Sequence, residues 1–213
     1  KLADNQKVLV TTAANVVPGW DDYPYRGSDV SGKANLVCTK YNLFDFTGVS
    51  GAELSFENII LNGMRGDNPI NVAAVYLPEA TSNIVNRNAN SEIKGYYTSN
   101  TYDAGDYGAA VRMRNGVLNI KDGSKIYNNT SRAGSAVAAG GNAVINMTGG
   151  EIYSNNALYS GGAIWLGTKD AIDNPIFNMS GGKIYNNYGV RAAAIYATDG
   201  EVNISNGTNS EGN

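Results

Sequence analysis

The stretch AVINMTGGEIYSNNALYSGGAIWLGT, residues 143–168, decides the fold because it recurs in altered form before and after itself. Three signals repeat: an Asn between two apolar residues, an Ile-Tyr-x-Asn step, and a small residue followed by a branched apolar one. The Asn recurs as Asn119, Asn146, Asn178 and Asn203; the Ile of the second signal as Ile126, Ile152 and Ile184; the apolar residue of the third as Val75, Val111, Val137, Ile164 and Ile195.

The repeat length is close to constant. Val111 to Val137 spans 26 positions, Val137 to Ile164 spans 27, and Ile164 to Ile195 spans 31. The longest interval, 36 positions from Val75 to Val111, contains the polar segment 90–108, which we interpret as an enlarged loop, and 167–174 is a second one. Residues 51–63 are predicted to be an early repeat, with Ile59 and Asn62 aligned to the Ile-Tyr-x-Asn step.

Each repeat holds three short alternating segments separated by Gly, Asn or Ser, and none has the periodicity of a helix. A unit this thin must stack on its neighbours to bury a core. The sequence therefore predicts an all-β fold, a right-handed parallel β-helix of about five to seven coils. Residues 36–205 would form the β-helix, 1–35 an irregular N-terminal cap and first partial coil, and 206–213 a flexible tail or linker.

Alternation along each strand assigns the faces. The residues predicted to point inward are Ile145, Met147, Ile152, Ile164 and Leu166, stacked over Leu118, Ile120, Ile126 and Val137. The residues predicted to face out are Val144, Asn146, Tyr153, Ala163 and Trp165. A shared turn position holds Asn129, Asn155 and Asn187, where we expect stacked amides to satisfy one another and the turn backbone.

Composition excludes several functions. The chain has 213 residues, one cysteine and no histidine, which rules out an intrachain disulfide, a Ser-His-Asp triad and a histidine zinc site. A formal net charge of −3 with scattered cations argues against a nucleic-acid partner. No apolar run is long enough to cross a membrane, so we expect no membrane insertion by this segment. Cys38 lies in an apolar segment and is predicted to be a buried small hydrophobe.

The motif GGAI at residues 161–164, together with Ile-x-x-Asn steps starting at Ile152 and Ile184, resembles the repeat of polymorphic outer membrane proteins and related adhesin-like proteins of bacterial surfaces. The resemblance covers roughly residues 51–204. Other copies of GGAI read GAAV, GSAV and AAAI. The resemblance implies a β-helix of the pectate-lyase-like type in an exported, extracellular or cell-surface protein. Non-catalytic adhesins and polysaccharide lyases share this scaffold.

Aromatic residues form the candidate ligand-binding surface. Tyr127, Tyr153 and Tyr185 are predicted to share one outward register. A second register holds Tyr76, Arg112, Ala138, Trp165 and Tyr196, and the turns contribute Tyr107, Tyr159 and Tyr188. Flat rings on a rigid face suit stacking against sugars. The alternative is structural, because tyrosine favours exposed strand positions and packs well against itself.

Two acidic pairs lie in the enlarged loops: Asp103 with Asp106, and Asp170 with Asp173. Such pairs serve calcium binding and glycoside chemistry. We expect no cofactor, with calcium at these four carboxylates as the alternative. A lyase would also need a base, for which Arg112, Arg114 and Lys169 are the nearby cations.

The sequence thus favours a non-catalytic extracellular module of a bacterial surface protein that binds a glycan or another cell-surface partner through its aromatic face. Other domains of a longer chain are expected as further partners. One alternative is a polysaccharide-active enzyme using Asp103, Asp106, Asp170, Asp173 and Arg112. The second alternative is a purely structural stalk.

Overall fold

The computed structural model of the chain describes residues 4–11, 33–37, 42–63, 73–78, 83–88, 90–98, 110–167 and 174–205. This part of the chain forms β-strands and no helices. The strands are β1 (Lys7–Thr11), β2 (Ala34–Val37), β3 (Phe44–Asp45), β4 (Glu53–Glu57), β5 (Ile59–Asn62), β6 (Val75–Leu77), β7 (Ile84–Arg87), β8 (Glu92–Lys94), β9 (Val111–Met113), β10 (Val117–Ile120), β11 (Lys125–Tyr127), β12 (Thr130–Ala133), β13 (Val137–Ala139), β14 (Val144–Tyr153), β15 (Asn156–Ser160), β16 (Ile164–Leu166), β17 (Ile176–Tyr185), β18 (Tyr188–Gly189), β19 (Ile195–Ala197) and β20 (Glu201–Ile204).

The described strands form three sheets, of eleven, six and three strands, and neighbouring strands run parallel. In the largest sheet, one row of strands runs β1-β4-β7-β10-β14-β17-β20 and another runs β2-β5-β8-β11-β14-β17. The long strands β14 and β17 belong to both rows. The six-stranded sheet runs β3-β6-β9-β13-β16-β19, and the small sheet β12-β15-β18. The chain returns to these rows in a constant order, which is compatible with a parallel β-helix.

The register of the later repeats is confirmed. Ile126 lies beside Ile152 and Ile152 beside Ile184, while Val137 lies between Val111 and Ile164. The early repeat is aligned differently from our expectation. Leu61, not Ile59, lies beside Ile93, and Asn62 lies beside Lys94 at the tyrosine position of later repeats. The prediction was wrong by two residues because three consecutive apolar residues, 59–61, hide the alternation.

Within the segment 90–108, predicted to be an enlarged loop, Glu92–Lys94 instead form β8. Its central residue, Ile93, supplies an inward apolar side chain between Leu61 and Ile126. Three residues are too few for their alternation to be recognised among polar neighbours. The strand is therefore specified by its place in the stack more than by its own sequence.

The core contains the residues predicted to point inward. Ile145, Met147, Ile152, Ile164 and Leu166 are all fully buried in one apolar cluster. Ala163 was predicted to face out, and this was wrong, since it is also fully buried there. Its position explains the error: Ala163 precedes the first residue of β16, so strand alternation does not apply to it.

Turns after the Ile-Tyr step require a left-handed backbone. Asn128, Ser154 and Asn186 have φ of 54°, 53° and 51°, and Gly95 occupies the same place in an earlier repeat with φ 72°. Asn and Gly tolerate this conformation better than other residues do. The turn asparagines that follow are thereby directed inward.

Burial declines at the last strand. Val202 and Ile204 lie beside Phe177 and Met179 in the inward columns. Nevertheless, their exposed fractions are 38% and 66%. In the described residues β20 pairs with β17 alone, so one edge of β20 and its apolar side chains are uncovered.

Candidate functional site

The first aromatic column is confirmed as a ladder of stacked rings, which we call the tyrosine ladder: Tyr127, Tyr153 and Tyr185. The Tyr127 and Tyr153 rings have centroids 4.9 Å apart and planes 4° apart; the Tyr153 and Tyr185 rings are 5.2 Å and 10° apart. Each ring therefore faces its neighbour along the stack. Both faces of Tyr153 are covered, so only its ring edge and hydroxyl are directed to solvent, whereas Tyr185, the last ring of the ladder, is 39% exposed.

A column of alternating charges runs beside the tyrosine ladder. Glu92, Lys125, Glu151 and Lys183 lie next to one another on successive strands. The Tyr127 hydroxyl donates to Glu92 Oε2 at 2.8 Å, and the Tyr185 hydroxyl donates to Glu151 Oε2 at 3.2 Å. Opposite charges on neighbouring strands attract, so this column stabilises the pairing of β8, β11, β14 and β17.

These contacts and burial shift the pKa values of Glu92, Tyr153 and Tyr185. Burial opposes the charge of Glu92, but hydrogen bonds from Lys33 and Tyr127 and the charges of Lys33 and Lys94 outweigh it, so the pKa of Glu92 lies below 4.5. Desolvation raises the pKa of Tyr153, and the neighbouring Tyr185 adds to this. Desolvation also raises the pKa of Tyr185, as does its hydrogen bond to Glu151.

Asparagines form two further ladders. In the inner amide ladder, Asn129 and Asn155 are buried, Asn129 donates to Asn155 Oδ1 at 3.0 Å, and Asn155 donates to Asn187 Oδ1 at 3.0 Å. The same amides bond turn backbone, as in the 3.1 Å bond from Asn155 to the Ile126 carbonyl. This confirms the structural role predicted for them.

The outer amide ladder lies on strands of the largest sheet, and its hydrogen bonds run in the opposite direction along the stack. Each side-chain amide donates to the asparagine of the preceding strand. The donors are Asn119, Asn146, Asn178 and Asn203, and the first acceptor is Asn86, at distances of 2.8, 3.0, 2.9 and 3.0 Å. The polar positions of this face are thus engaged with one another.

The second aromatic register is confirmed, but two of its members, Ala138 and Trp165, are buried. Arg112, Ala138, Trp165 and Tyr196 lie on successive neighbouring strands, and Tyr76 precedes them. Trp165 points away from the main core, yet only 8% of it is exposed. It packs with Ala133, Ala138 and Tyr196 in a small separate cluster.

The backbone at two glycines covers Trp165. A Cβ added to Gly134 would lie 3.0 Å from the Trp165 Cβ, and one added to Gly161 would lie 3.2 Å from it. Our assignment of Trp165 as an open stacking surface was therefore wrong. Strand alternation predicted its direction but not the segments packed over it.

The exposed aromatic site is a group that we call the guanidinium–tyrosine cluster: Arg132, Tyr159, Arg191 and Tyr196. The Cζ atoms of Arg191 and Arg132 lie 4.4 and 5.4 Å from the Tyr159 ring centroid. Arg191 donates from Nη1 to the Tyr196 hydroxyl at 3.0 Å and from Nη2 to the Tyr159 hydroxyl. The bond to Tyr196 and the nearby phenols raise the pKa of Arg191.

Sequence reasoning found the tyrosines of this cluster but missed Arg132 and Arg191. The repeat carried the needed signal, because Arg191 lies 32 positions after Tyr159, close to the spacing of the adjoining repeats. Aligning cations as well as aromatics would have placed them together. Tyr76 has a comparable partner, with Arg112 Cζ 5.0 Å from its ring centroid.

Arg87 is a second residue that the sequence did not indicate. It lies in the inward column between Phe56 and Ile120 and is fully buried. Its guanidinium donates to the carbonyls of Ser91 and Lys125, whereas Nη1 has no hydrogen-bond partner in the part of the chain that the structure describes. Desolvation lowers the pKa of Arg87 to about 9, against the opposing charge of Glu92.

Several candidates lie outside the described residues: Asp103, Asp106, Asp170, Asp173, Tyr107, Lys169 and Cys38. Their calcium, catalytic or structural roles stay predictions. In the described ranges, no group of three acidic, cysteine or histidine side chains could hold a metal ion. Nor does any helix there have the length and apolar character to cross a membrane.

Comparison with family models, curated proteins and solved structures finds no match for this chain.

Proposed function

We propose that the chain is a non-catalytic module of a bacterial surface protein, folded as a right-handed parallel β-helix of about five to seven coils with an irregular N-terminal cap. Parallel rows of strands, visited in a constant order, support the fold. The GGAI and Ile-x-x-Asn repeat supports the extracellular location.

We further propose that this module binds a glycan or another cell-surface partner at the guanidinium–tyrosine cluster. The observation that carries this proposal is the exposure of Tyr159, 41%, together with the two guanidiniums held against its ring. Arg132 and Tyr159 lie on strands of the three-stranded sheet, and two hydrogen bonds hold Arg191 beside them, so little conformational entropy is lost on binding. Aromatic and arginine side chains are also the commonest energetic centres of binding surfaces.

The tyrosine ladder is assigned a different role in this proposal. Sugar stacking needs an open ring face, whereas Tyr153 has a ring on each side and Tyr127 and Tyr185 each have one face against it. We assign the ladder to stabilisation of neighbouring repeats. The same reasoning removes the buried Trp165 from the binding surface.

A glycan array with matched variants tests the proposal. Arg191→Gln and Tyr159→Ala should abolish the parent's signals, because they remove the cluster. Tyr153→Phe should retain the signals, because it keeps the stacked ring and lies in the tyrosine ladder, not in the guanidinium–tyrosine cluster. Absence of any signal for the parent, or equal loss in the Tyr153→Phe control, would contradict glycan binding at this site.

A structural stalk is the second candidate, favoured by a specific observation. The inner and outer amide ladders bond side chains to one another along the stack. Such networks rigidify a structure. If the array shows no ligand while the module resists unfolding and proteolysis, the stalk is the better account.

A further inference from the structure

The side chain of Arg191 is held in place by two neighbouring tyrosines. It is exposed, but its two terminal nitrogens donate to the hydroxyls of Tyr159 and Tyr196, and its guanidinium lies over the Tyr159 ring. An arginine has five N–H donors, so others stay available after these two bonds. A surface arginine fixed in this way loses less rotamer freedom when it binds.

Positive charge is concentrated at this point. Arg132 and Arg191 lie against the same tyrosine ring, although the whole chain has a net charge of −3. The two ion pairs among the described residues join Lys7 to Glu53 and Lys33 to Glu92, so neither includes Arg191. A guanidinium with a planar fork of donors is well matched to a carboxylate.

A flat apolar surface lies three positions before Arg191 in the chain. Tyr188 exposes 61% of its surface, and it belongs to β18 at the edge of the three-stranded sheet. Its neighbour Val190 is also exposed. A ligand that combines a carboxylate with a ring bearing C–H groups would contact Arg191 with the carboxylate and Tyr188 with the ring.

We propose that the ligand of the guanidinium–tyrosine cluster is a carboxylated saccharide, whose carboxylate binds Arg191 and whose sugar ring packs against Tyr188. This inference rests on the proposed glycan-binding function and names the substrate class of that same site. Tyr159 and Tyr196 are then positioning residues, which hold the guanidinium in its binding orientation.

The test is a titration with matched oligosaccharides. The probes are oligosaccharides bearing sialic or uronic acids, each paired with the same compound after its carboxylates are converted to neutral amides. Acidic members should bind at least tenfold more tightly than their amides, and more weakly as salt is raised. Arg191→Gln should remove this preference and Arg191→Lys should restore part of it, while Lys125→Gln, on the face of the tyrosine ladder, should change nothing.

The outcomes separate the two proposals. Equal affinity for acids and amides overturns the carboxylate inference and leaves the glycan-binding function standing. No binding of any saccharide overturns both. Binding of polyglutamate as tight as that of the acidic saccharides overturns the saccharide assignment. Thermal unfolding of each variant is the control. Because Arg191 is exposed, its variants should unfold at the temperature of the parent, so a loss of binding is not a loss of folding.

Discussion

At the scale of single residues, the turn after the Ile-Tyr step is the best-defined conformational requirement. The position needs a left-handed backbone, which glycine or asparagine supplies in three described repeats and Ser154 in a fourth. A serine at this position is sterically strained, whereas asparagine is strained less and glycine is not strained.

We predict that Ser154→Asn raises the free energy of unfolding by about 0.5 kcal/mol, a fraction of the roughly 1–2 kcal/mol that a left-handed backbone costs an ordinary residue. Chemical denaturation of the parent and the variant measures this change. Ser154→Val is the matched control and should destabilise, because a branched side chain is disfavoured at positive φ. A valine variant as stable as the asparagine variant would contradict the assigned turn.

Arg87 provides the second prediction at this scale. Its guanidinium is buried in an otherwise apolar column and forms no ion pair with any of the described residues, which is a costly arrangement. Arg87→Met should leave the unfolding free energy unchanged or raise it, since methionine fills similar space without a charge. Arg87→Ala should lower it by about 2 kcal/mol or more through the cavity that it creates.

The pH dependence of Arg87 has a definite sign. Its folded pKa of about 9 lies well below the ordinary value for arginine, so the unfolded state binds more protons between the folded and the ordinary pKa. Its burial penalty therefore diminishes as pH rises through that interval. Arg87→Met should remove this rise in stability, and a parent and variant with the same alkaline profile would contradict the burial of a charged guanidinium.

At the scale of elements, stacked side chains connect neighbouring strands more specifically than apolar contacts alone. The tyrosine ladder joins β11, β14 and β17, and the inner amide ladder follows the turns of the same repeats. A one-residue slip of a strand would turn these side chains to the wrong face. The ladders thus fix the register.

The tyrosine ladder predicts a loss of stability at high pH. Folding raises the pKa of Tyr153 above 10, so the stabilisation from its phenol is complete below pH 10 and is lost as pH rises through the folded pKa. Between pH 9 and 11 the parent should therefore lose more stability than Tyr153→Phe does. Denaturation midpoints at both pH values measure the difference, and equal losses would count against stacked, partly desolvated phenols.

The sequence predicted much of this register because its causes are local. Alternation placed Ile145 and Met147 inward, and the repeated Asn and Tyr positions identified the inner amide ladder and the tyrosine ladder. Alternation could not predict the burial of Trp165, because this burial depends on the backbone at Gly134 and Gly161, which lie outside the strand of Trp165. Arg87 broke the apolar pattern of its column, so alternation gave it no inward assignment.

At the scale of the whole molecule, the described rows of parallel strands form one long stack with distinct faces. One face carries the tyrosine ladder and alternating charges, which satisfy one another. Another carries the guanidinium–tyrosine cluster, where cations lie against an exposed ring. Our proposal places ligand binding on the face that carries the guanidinium–tyrosine cluster and assigns stability to the faces that carry the ladders.

The whole account depends on the chain returning to the same row after each repeat. Lys125 lies directly beside Glu151, and Glu151 beside Lys183, so Lys125 and Lys183 are two strand spacings apart. Adjacent strands lie about 4.8 Å apart, within reach of a disulfide, whereas two spacings exceed its limit of roughly 7 Å.

Oxidation of paired cysteines, in a Cys38→Ser background, is the most direct test. We predict that Lys125→Cys combined with Glu151→Cys forms an intramolecular disulfide, detected by mass spectrometry of proteolytic peptides. Lys125→Cys combined with Lys183→Cys should stay reduced under the same conditions. Cross-linking of the second pair, or of neither pair, would contradict the stacked register on which the fold and both proposals rest.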